Sequence, residues 1–275
     1  AIVILLLTFG SNIIYYLIDA PLYSHIYSFA LIAAFLYLAF CIKELPTVKN
    51  ICSISFITGL IFITRPVNLS IMLMLPFILG SNLKATVLSI VRQPKLIASL
   101  LPVLLMPALL FSIYKSALGH YFVYSYDQEG FDFLHPHFWQ FLIHYDNGLF
   151  SYMPLLAMPF LFIFAWYRSA DKPIIAGAAA TLFITIYIQS SWWCWYFGYS
   201  FGARTMLDFL PLFGIPLAMS VRNTDFKKNV YLIPVYTLCC IFTLNLYQQK
   251  SANHMMSSYP IRDYWQSVGK PFGLK

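Results

Sequence analysis

Arg65 and Arg204 are the residues around which a binding chemistry for this chain is best built. Arg65 stands in "TRPVN", between two apolar runs. A cation in such a place costs about 3 kcal/mol at membrane depth unless it meets water, a partner or a ligand. Its planar fork of donors fits two phosphate oxygens at once, which would make it an anion clamp. The other reading is a cap at the membrane surface, paired with a carboxylate or with backbone carbonyls. Arg204 opens "RTMLD", four residues before Asp208, the spacing that puts two side chains on one face of a helix. An intrahelical ion pair is the simplest account of it. The stretch before Arg204, "SSWWCWYFGYSFGA", holds Trp192, Trp193, Trp195, Tyr196, Phe197 and Tyr199 with Gly198 and Gly202. Glycine lets backbone approach something closely, and the rings offer flat faces. The cluster is either an aromatic belt at a membrane interface or a surface for a sugar and a lipid phosphate beside the arginine.

Acids gather in a different stretch. "YSYDQEGFDFLHPHFWQFLIHYDNGLFSYMP" carries Asp127, Glu129, Asp132, His135, His137, His144 and Asp146. Any one of these carboxylates has the chemistry of a general base, and together the oxygens and imidazoles have that of a divalent-ion site. No HExxH spacing is present, so no metal site and no cofactor are expected. Asp19 is a further acid in an earlier polar stretch. His25, in "APLYSHIYSF", is either a hydrogen-bonded interface histidine or a site group. Cys41, Cys52, Cys194, Cys239 and Cys240 lie mostly in apolar runs without CxxC spacing and read as small buried hydrophobes. Walker A, GxGxxG and GxSxG patterns are all missing, so nucleotide-driven transport is not expected.

The elements that must position these groups follow from composition. The 275 residues are 60% hydrophobic and 10% charged, far from a soluble domain. Apolar stretches recur from end to end and predict one all-α, polytopic transmembrane bundle. Spans are predicted over 24–42, 51–63, 67–80, 96–117, 148–166, 173–189, 205–221 and 229–247. With the opening "AIVILLLTF", read as a truncated helix, that makes about nine spans within 1–247. The N-terminal part of the protein is expected to be missing. Residues 248–275 form a polar tail. The net charge of +7 resides in alternate short loops, at Lys43 and Lys49, then Lys84, Arg92 and Lys95, then Arg168 and Lys172, then Arg222, Lys227 and Lys228. The positive-inside rule puts these in the cytoplasm, so the charge points to topology and not to nucleic acid. Residues 10–23, 118–147, 190–204 and the tail then face outward, and residues 51–80, between basic loops, form either two short spans or a broken helix pair with Arg65 at the outer turn. Pro66 disfavours helix at the arginine before it, in keeping with a break there.

Four stretches in order, "TFGSNIIYYLIDAPLYSHIYSF", "TRPVNLSIMLMLP", "EGFDFLHPHFWQFLIHYDNGLFSYMPLL" and "SWWCWYFGYSFGARTMLDFLPLFGIPLA", span residues 8–218. Together they resemble multi-pass bacterial membrane proteins grouped with the GT-C glycosyltransferases. The resemblance implies a GT-C-like helical bundle in the bacterial inner membrane. Its activity would be transfer of a sugar from a polyprenyl-phosphate donor to a lipid, glycan or protein acceptor on the periplasmic side. Arg65 and Arg204 match arginines of the family's pattern and would hold the donor phosphate. His25, Trp192, Trp193, Trp195 and Tyr196 are expected to contact sugar or lipid, and Asp19, Asp127, Glu129 or Asp132 to supply acid chemistry. The principal acid of such enzymes sits in a first outward loop, which would precede residue 1. A transporter or flippase for a lipid-linked glycan is the alternative from another class. A catalytically inactive fragment is the third.

Overall fold

The computed structural model describes residues 1–124, 126, 129–161, 172–223, 230–251, 264, 265, 268 and 269. Among the described residues every regular element is helical and no strand occurs. The chain opens with α1 (Ile2–Phe9) and α2 (Ile13–Ile18), then α3 (Ser24–Glu44) and α4 (Val48–Thr64). A 3-10 segment, Pro66–Leu73, leads into α5 (Met74–Leu79), α6 (Leu83–Arg92), α7 (Pro94–Ala98) and α8 (Leu101–Leu118). Short helices α9 (Phe138–Ile143), α10 (Leu149–Tyr152) and α11 (Met158–Leu161) precede α12 (Lys172–Ser190), α13 (Leu210–Asn223) and α14 (Leu232–Ser251). Ser24–Glu44, Pro66–Arg92, Pro94–Leu118 and Lys172–Ser190 are long and apolar enough to cross a membrane, and Val48–Thr64 and Leu210–Arg222 are shorter apolar helices. On that length and composition the protein is a multi-pass α-helical membrane protein.

Local chemistry sets the boundaries that matter for the site. The α4 helix begins where the Thr47 hydroxyl accepts the Asn50 N–H at 3.1 Å, an N-cap. It ends at Arg65, whose backbone is extended because Pro66 follows. Proline then starts the 3-10 segment, where its fixed φ and missing N–H cost nothing. The predicted span over 67–80 therefore enters as a tighter 3-10 turn before becoming α-helical. The stretch predicted as a loop over 10–23 contains α2, because "IIYYLI" buries Tyr16 against the core. The predicted span over 148–166 is broken at Pro154 into α10, a 3-10 turn and α11. Its last part, residues 162–166, lies outside the described residues, as do Arg168, Lys227, Lys228 and most of the polar tail.

The core runs through α3, α5, α12 and α13, with Ile32, Phe35, Ala39, Ile78, Leu182, Phe209 and Phe213 all buried. In contrast α8 buries none of its residues and presents Leu101, Leu104, Leu105, Leu109 and Ile113 outward, as a lipid-facing helix does. It is held to the bundle by α4. There Gly59 lies where an added Cβ would come within 2.8 Å of Met106 Cβ and 3.0 Å of the Pro102 carbonyl. Small residues are what let membrane helices approach this closely. Gly59→Val should destabilise the protein by about 1–3 kcal/mol through overpacking, read as a lower thermal melting midpoint in detergent. An unchanged midpoint would mean that α8 slides without cost.

Alternation of direction puts the first turn of α3 beside the last turn of α4, with the end of α12 and the start of α13 adjoining them. His25, Arg65, Gln189, Arg204 and Asp208 thereby share one end of the bundle.

Candidate functional site

The centre of this end is a buried carboxylate. Asp208 follows the 3-10 turn Arg204–Leu207 and is wholly inaccessible. His25 Nδ1 lies 2.8 Å from Asp208 Oδ1, and Asn68 Nδ2 donates to Oδ2 at 2.7 Å. Arg65 forms an ion pair with the same Oδ2 through Nε at 3.3 Å. Arg65 Nη1 also meets His25 Nε2 at 3.2 Å. Guanidinium only donates, so Nε2 is the accepting nitrogen and the imidazole proton sits on Nδ1, where it donates to the carboxylate. Three elements far apart in sequence are tied together in this way. The predicted Arg204–Asp208 pair is not made. A 3-10 turn has three residues per turn, so a separation of four no longer stacks the two side chains, and Asp208 is drawn to other partners.

Arg204 is turned onto aromatic faces instead. Its guanidinium carbon lies 5.1 Å from the Tyr23 ring centre and 5.5 Å from that of Phe197, a double cation–π contact. Its Nε is buried with no hydrogen-bond partner among the described residues. Phe197 is placed by a strained loop: Phe197 and Gly198 both have φ of 55°, and Gly202 has 64°. Non-glycine residues rarely adopt such values. The loop is held by Asn147, itself buried with φ 60°, whose amide donates to the Tyr196 carbonyl at 2.9 Å and to that of Gly198 at 3.0 Å.

Around the two arginines is a cavity of about 610 Å³, walled by Tyr23, Thr64, Glu129, Gln189, Trp192 and Tyr199 among others. Arg65, Arg204, Glu129, Trp192 and Trp193, all named from sequence, meet there. The acidic and aromatic stretches are joined by main chain: Asp132 N–H to Ser191 O at 2.7 Å, Trp193 N–H to Gly130 O at 3.1 Å and His137 N–H to Ser190 O at 2.9 Å. Between them Trp192 packs on Phe131 and Tyr126, with ring centres 4.8 and 5.2 Å away.

The other residues named from sequence fall elsewhere. His25 is buried behind the wall, where it meets the cavity-lining Arg65 at 3.2 Å and stacks against Tyr23. Trp195 packs on His137 and His144, and Tyr196 on Trp195, away from the cavity. Asp19 accepts from the Ser251 hydroxyl at 3.3 Å. Asp127 lies outside the described residues. Asp146 is half-buried off the cavity, and loss of water pushes its carboxyl up, against the lowering effect of His144 and Lys250. Among the described residues no group of three or more histidines, cysteines or acids is placed to hold a metal ion.

Asp132 is an exposed turn residue. Its carboxylate accepts the backbone N–H groups of Leu134 and His135, both at 3.1 Å, and meets His135 Nδ1 at 3.1 Å. The His135 ring, followed by these backbone donors, holds its carboxyl below the ordinary value for aspartate. A carboxyl depressed by folding stabilises the turn above its unfolded value and loses that effect as pH falls through the folded one. A carbon-13 titration should therefore show Asp132 ionising at lower pH than aspartate in an unstructured peptide. An equal or higher midpoint would mean that the turn does not hold in solution.

Sequence reasoning passed over three contributors: Asn147, Asn68 and Gln189. Asn147 had a signal, since Asn before Gly in "DNG" marks a left-handed turn. No protein-family model, curated protein or solved structure matches this chain.

Proposed function

We propose that this protein is a membrane glycosyltransferase of GT-C type, acting in the bacterial inner membrane with its cavity toward the periplasm. It would move a sugar from a polyprenyl-phosphate donor to a lipid, glycan or protein acceptor. The observation that carries this reading is Arg204: a cation on a cavity wall, within cation–π distance of two rings and, among the described residues, without a carboxylate within ion-pair reach. Such a group calls for an anion from outside the protein. Arg65 lies on the same wall with Asp208 already against it, so the two arginines do different work. Arg204 supplies net charge to the phosphate, and Arg65 supplies its remaining N–H donors.

In the proposed step the acceptor hydroxyl oxygen attacks the anomeric carbon. The bond from that carbon to the phosphate oxygen breaks, and its electron pair leaves with the polyprenyl phosphate. Arginine stabilises this leaving group because its charge is permanent. The acceptor proton goes to a carboxylate. Of Asp19, Asp127, Glu129 and Asp132, the acids given this chemistry from sequence, Glu129 is the one that lines the cavity among the described residues, and it takes that role here. A single displacement inverts the anomeric centre. Trp192 and Trp193 offer faces to the sugar ring or the first isoprene units.

The test is transfer by the purified full chain in proteoliposomes given polyprenyl-phosphate hexoses with radiolabelled sugar. The expected result is label in a new glycosidic bond on an added acceptor extract. Label that moves between leaflets without a new bond would overturn the enzyme reading in favour of a lipid-linked glycan transporter.

A further inference from the structure

The end of the bundle opposite the cavity carries a helix that no crossing needs. Pro66–Leu73 and α5 together rise about 25 Å at the usual spacing of 3-10 and α-helical residues, most of the ~30 Å of a bilayer's hydrocarbon. They stop at Gly80, where a φ of 54° turns the chain. Asn82 Nδ2 then donates at 3.3 Å to the carbonyl of Lys43, in the last turn of α3, whose first residue Ser24 lines the cavity. The descent is therefore complete before α6 begins. The next crossing starts from the same end. Gly59 faces Met106, and Phe62 meets Phe111 with ring centres 6.2 Å apart. So α8 climbs in the direction of α4, which ends at the cavity with Arg65, and α7 lies against α4 before it. Being about 15 Å long, α6 joins two points at one end of the bundle and runs across that end.

The residues of α6 divide by chemistry. Thr86 is buried, and Leu83 and Ile90, three before it and four after it, pack on the core. Val87, Leu88 and Val91 are exposed, and so are Lys84, Arg92 and, in α7, Lys95. Among the described residues none of these three cations has a carboxylate within ion-pair distance. Glu44, at the end of α3, is the one described acid at this end of the bundle. The positive-inside rule accounts for cations here but not for an apolar face beside them. A free anion would meet the cations and leave Val87, Leu88 and Val91 in water, and acyl chains alone would leave the cations without counter-charge. One class of molecule answers both, with apolar chains and a negative headgroup on the same frame. We infer that α6 lies in the membrane interface as a docking surface for anionic phospholipid. Val87, Leu88 and Val91 rest among the acyl chains, and Lys84, Arg92 and Lys95 hold the phosphodiester headgroups. This surface is separate from the cavity and stands whether or not the glycosyltransferase reading does.

Hydrogen–deuterium exchange of residues 83–95, in the full chain reconstituted into nanodiscs, tests it. One set of discs is phosphatidylcholine alone, and the other is mixed with phosphatidylglycerol of the same acyl chains. Exchange in wild type should be slower in the mixed discs by about fivefold or more, the factor that corresponds to one basic side chain near an anionic surface. Joint substitution Lys84→Gln, Arg92→Gln and Lys95→Gln should abolish the difference. Lys43→Gln with Lys49→Gln, at the same end but off α6, should keep it within about twofold, since the attraction fades beyond a Debye length. Salt at about 1 M, where that length falls to ~3 Å, should weaken the wild-type difference, an arm that needs no variant. Soluble glycerol phosphate added to the phosphatidylcholine discs should give no protection, because it brings no chains. Equal exchange of wild type in the two lipids, a difference that survives the triple substitution, or one lost equally with Lys43 and Lys49 would each overturn the inference. Insensitivity to salt would overturn the headgroup contact, and protection by glycerol phosphate would overturn lipid as the occupant.

Discussion

Replacing Asp208 with alanine should lower the stability of the folded protein by about 3–5 kcal/mol, the loss typical when one partner of a buried ion pair is removed. The size follows from what remains. Asp208 is inaccessible and accepts from His25 and Asn68 while pairing with Arg65. Without it the Asn68 amide and the His25 N–H lose their acceptor in a closed space. Arg65, about one-fifth exposed, becomes a half-buried cation without a counter-charge. Thermal melting in detergent is the measurement. Asp208→Asn keeps the volume and removes the charge, so its loss should be smaller. A double-mutant cycle with Arg65→Ala should show that Asp208→Ala costs less once the cation has gone, because the two removals share one interaction. An Asp208→Ala protein within about 1 kcal/mol of wild type, below the range for broken buried pairs, would show that the network contributes little.

Arg204→Ala should do the reverse, costing activity far more than stability. No carboxylate among the described residues is left unpaired, and what disappears is the stacking on Tyr23 and Phe197, worth about 0.5–2 kcal/mol. On the proposed role, kcat/KM for a polyprenyl-phosphate hexose should fall about 100- to 1000-fold, the loss seen when one preorganised donor to a developing charge is removed. Arg204→Lys should recover little of it. An ammonium is a point charge on a flexible stem and does not lie against aromatic faces as a planar guanidinium does. Arg65→Ala should impair both properties, since it removes a cavity donor and strands Asp208. Full turnover by Arg204→Ala would sink the phosphate assignment.

Composition and charge carried the sequence reading a long way in some places. The helical class and the break at "TRPVN" follow from an oily chain with few charges, where each charge must have a reason, and Arg65 and Arg204, singled out on the same ground, line one cavity. Partner identity was not legible. Asp208 seemed paired with its neighbour four residues back, but its hydrogen-bond partners stand 183 and 140 positions away. Nothing local in "RTMLD" announces a 3-10 turn that aims Arg204 elsewhere. The aromatic run posed a similar difficulty. Trp192 and Trp193 reach the cavity, and Trp195 and Tyr196 pack behind it, because the loop winds through left-handed Phe197 and Gly198. Spacing in an irregular loop carries no period from which to read facing.

The pairing of residues 130–137 with 190–193 also bears on how this site can change over time. The three bonds that join these stretches run between backbone atoms, so the frame depends little on which side chains it displays. Glu129, Trp192 and Trp193 are in that sense interchangeable fittings on a fixed rail. Descendants of this chain can exchange them without first rebuilding the wall. The Asp208 cluster has no such freedom, because there the side chains are themselves the frame.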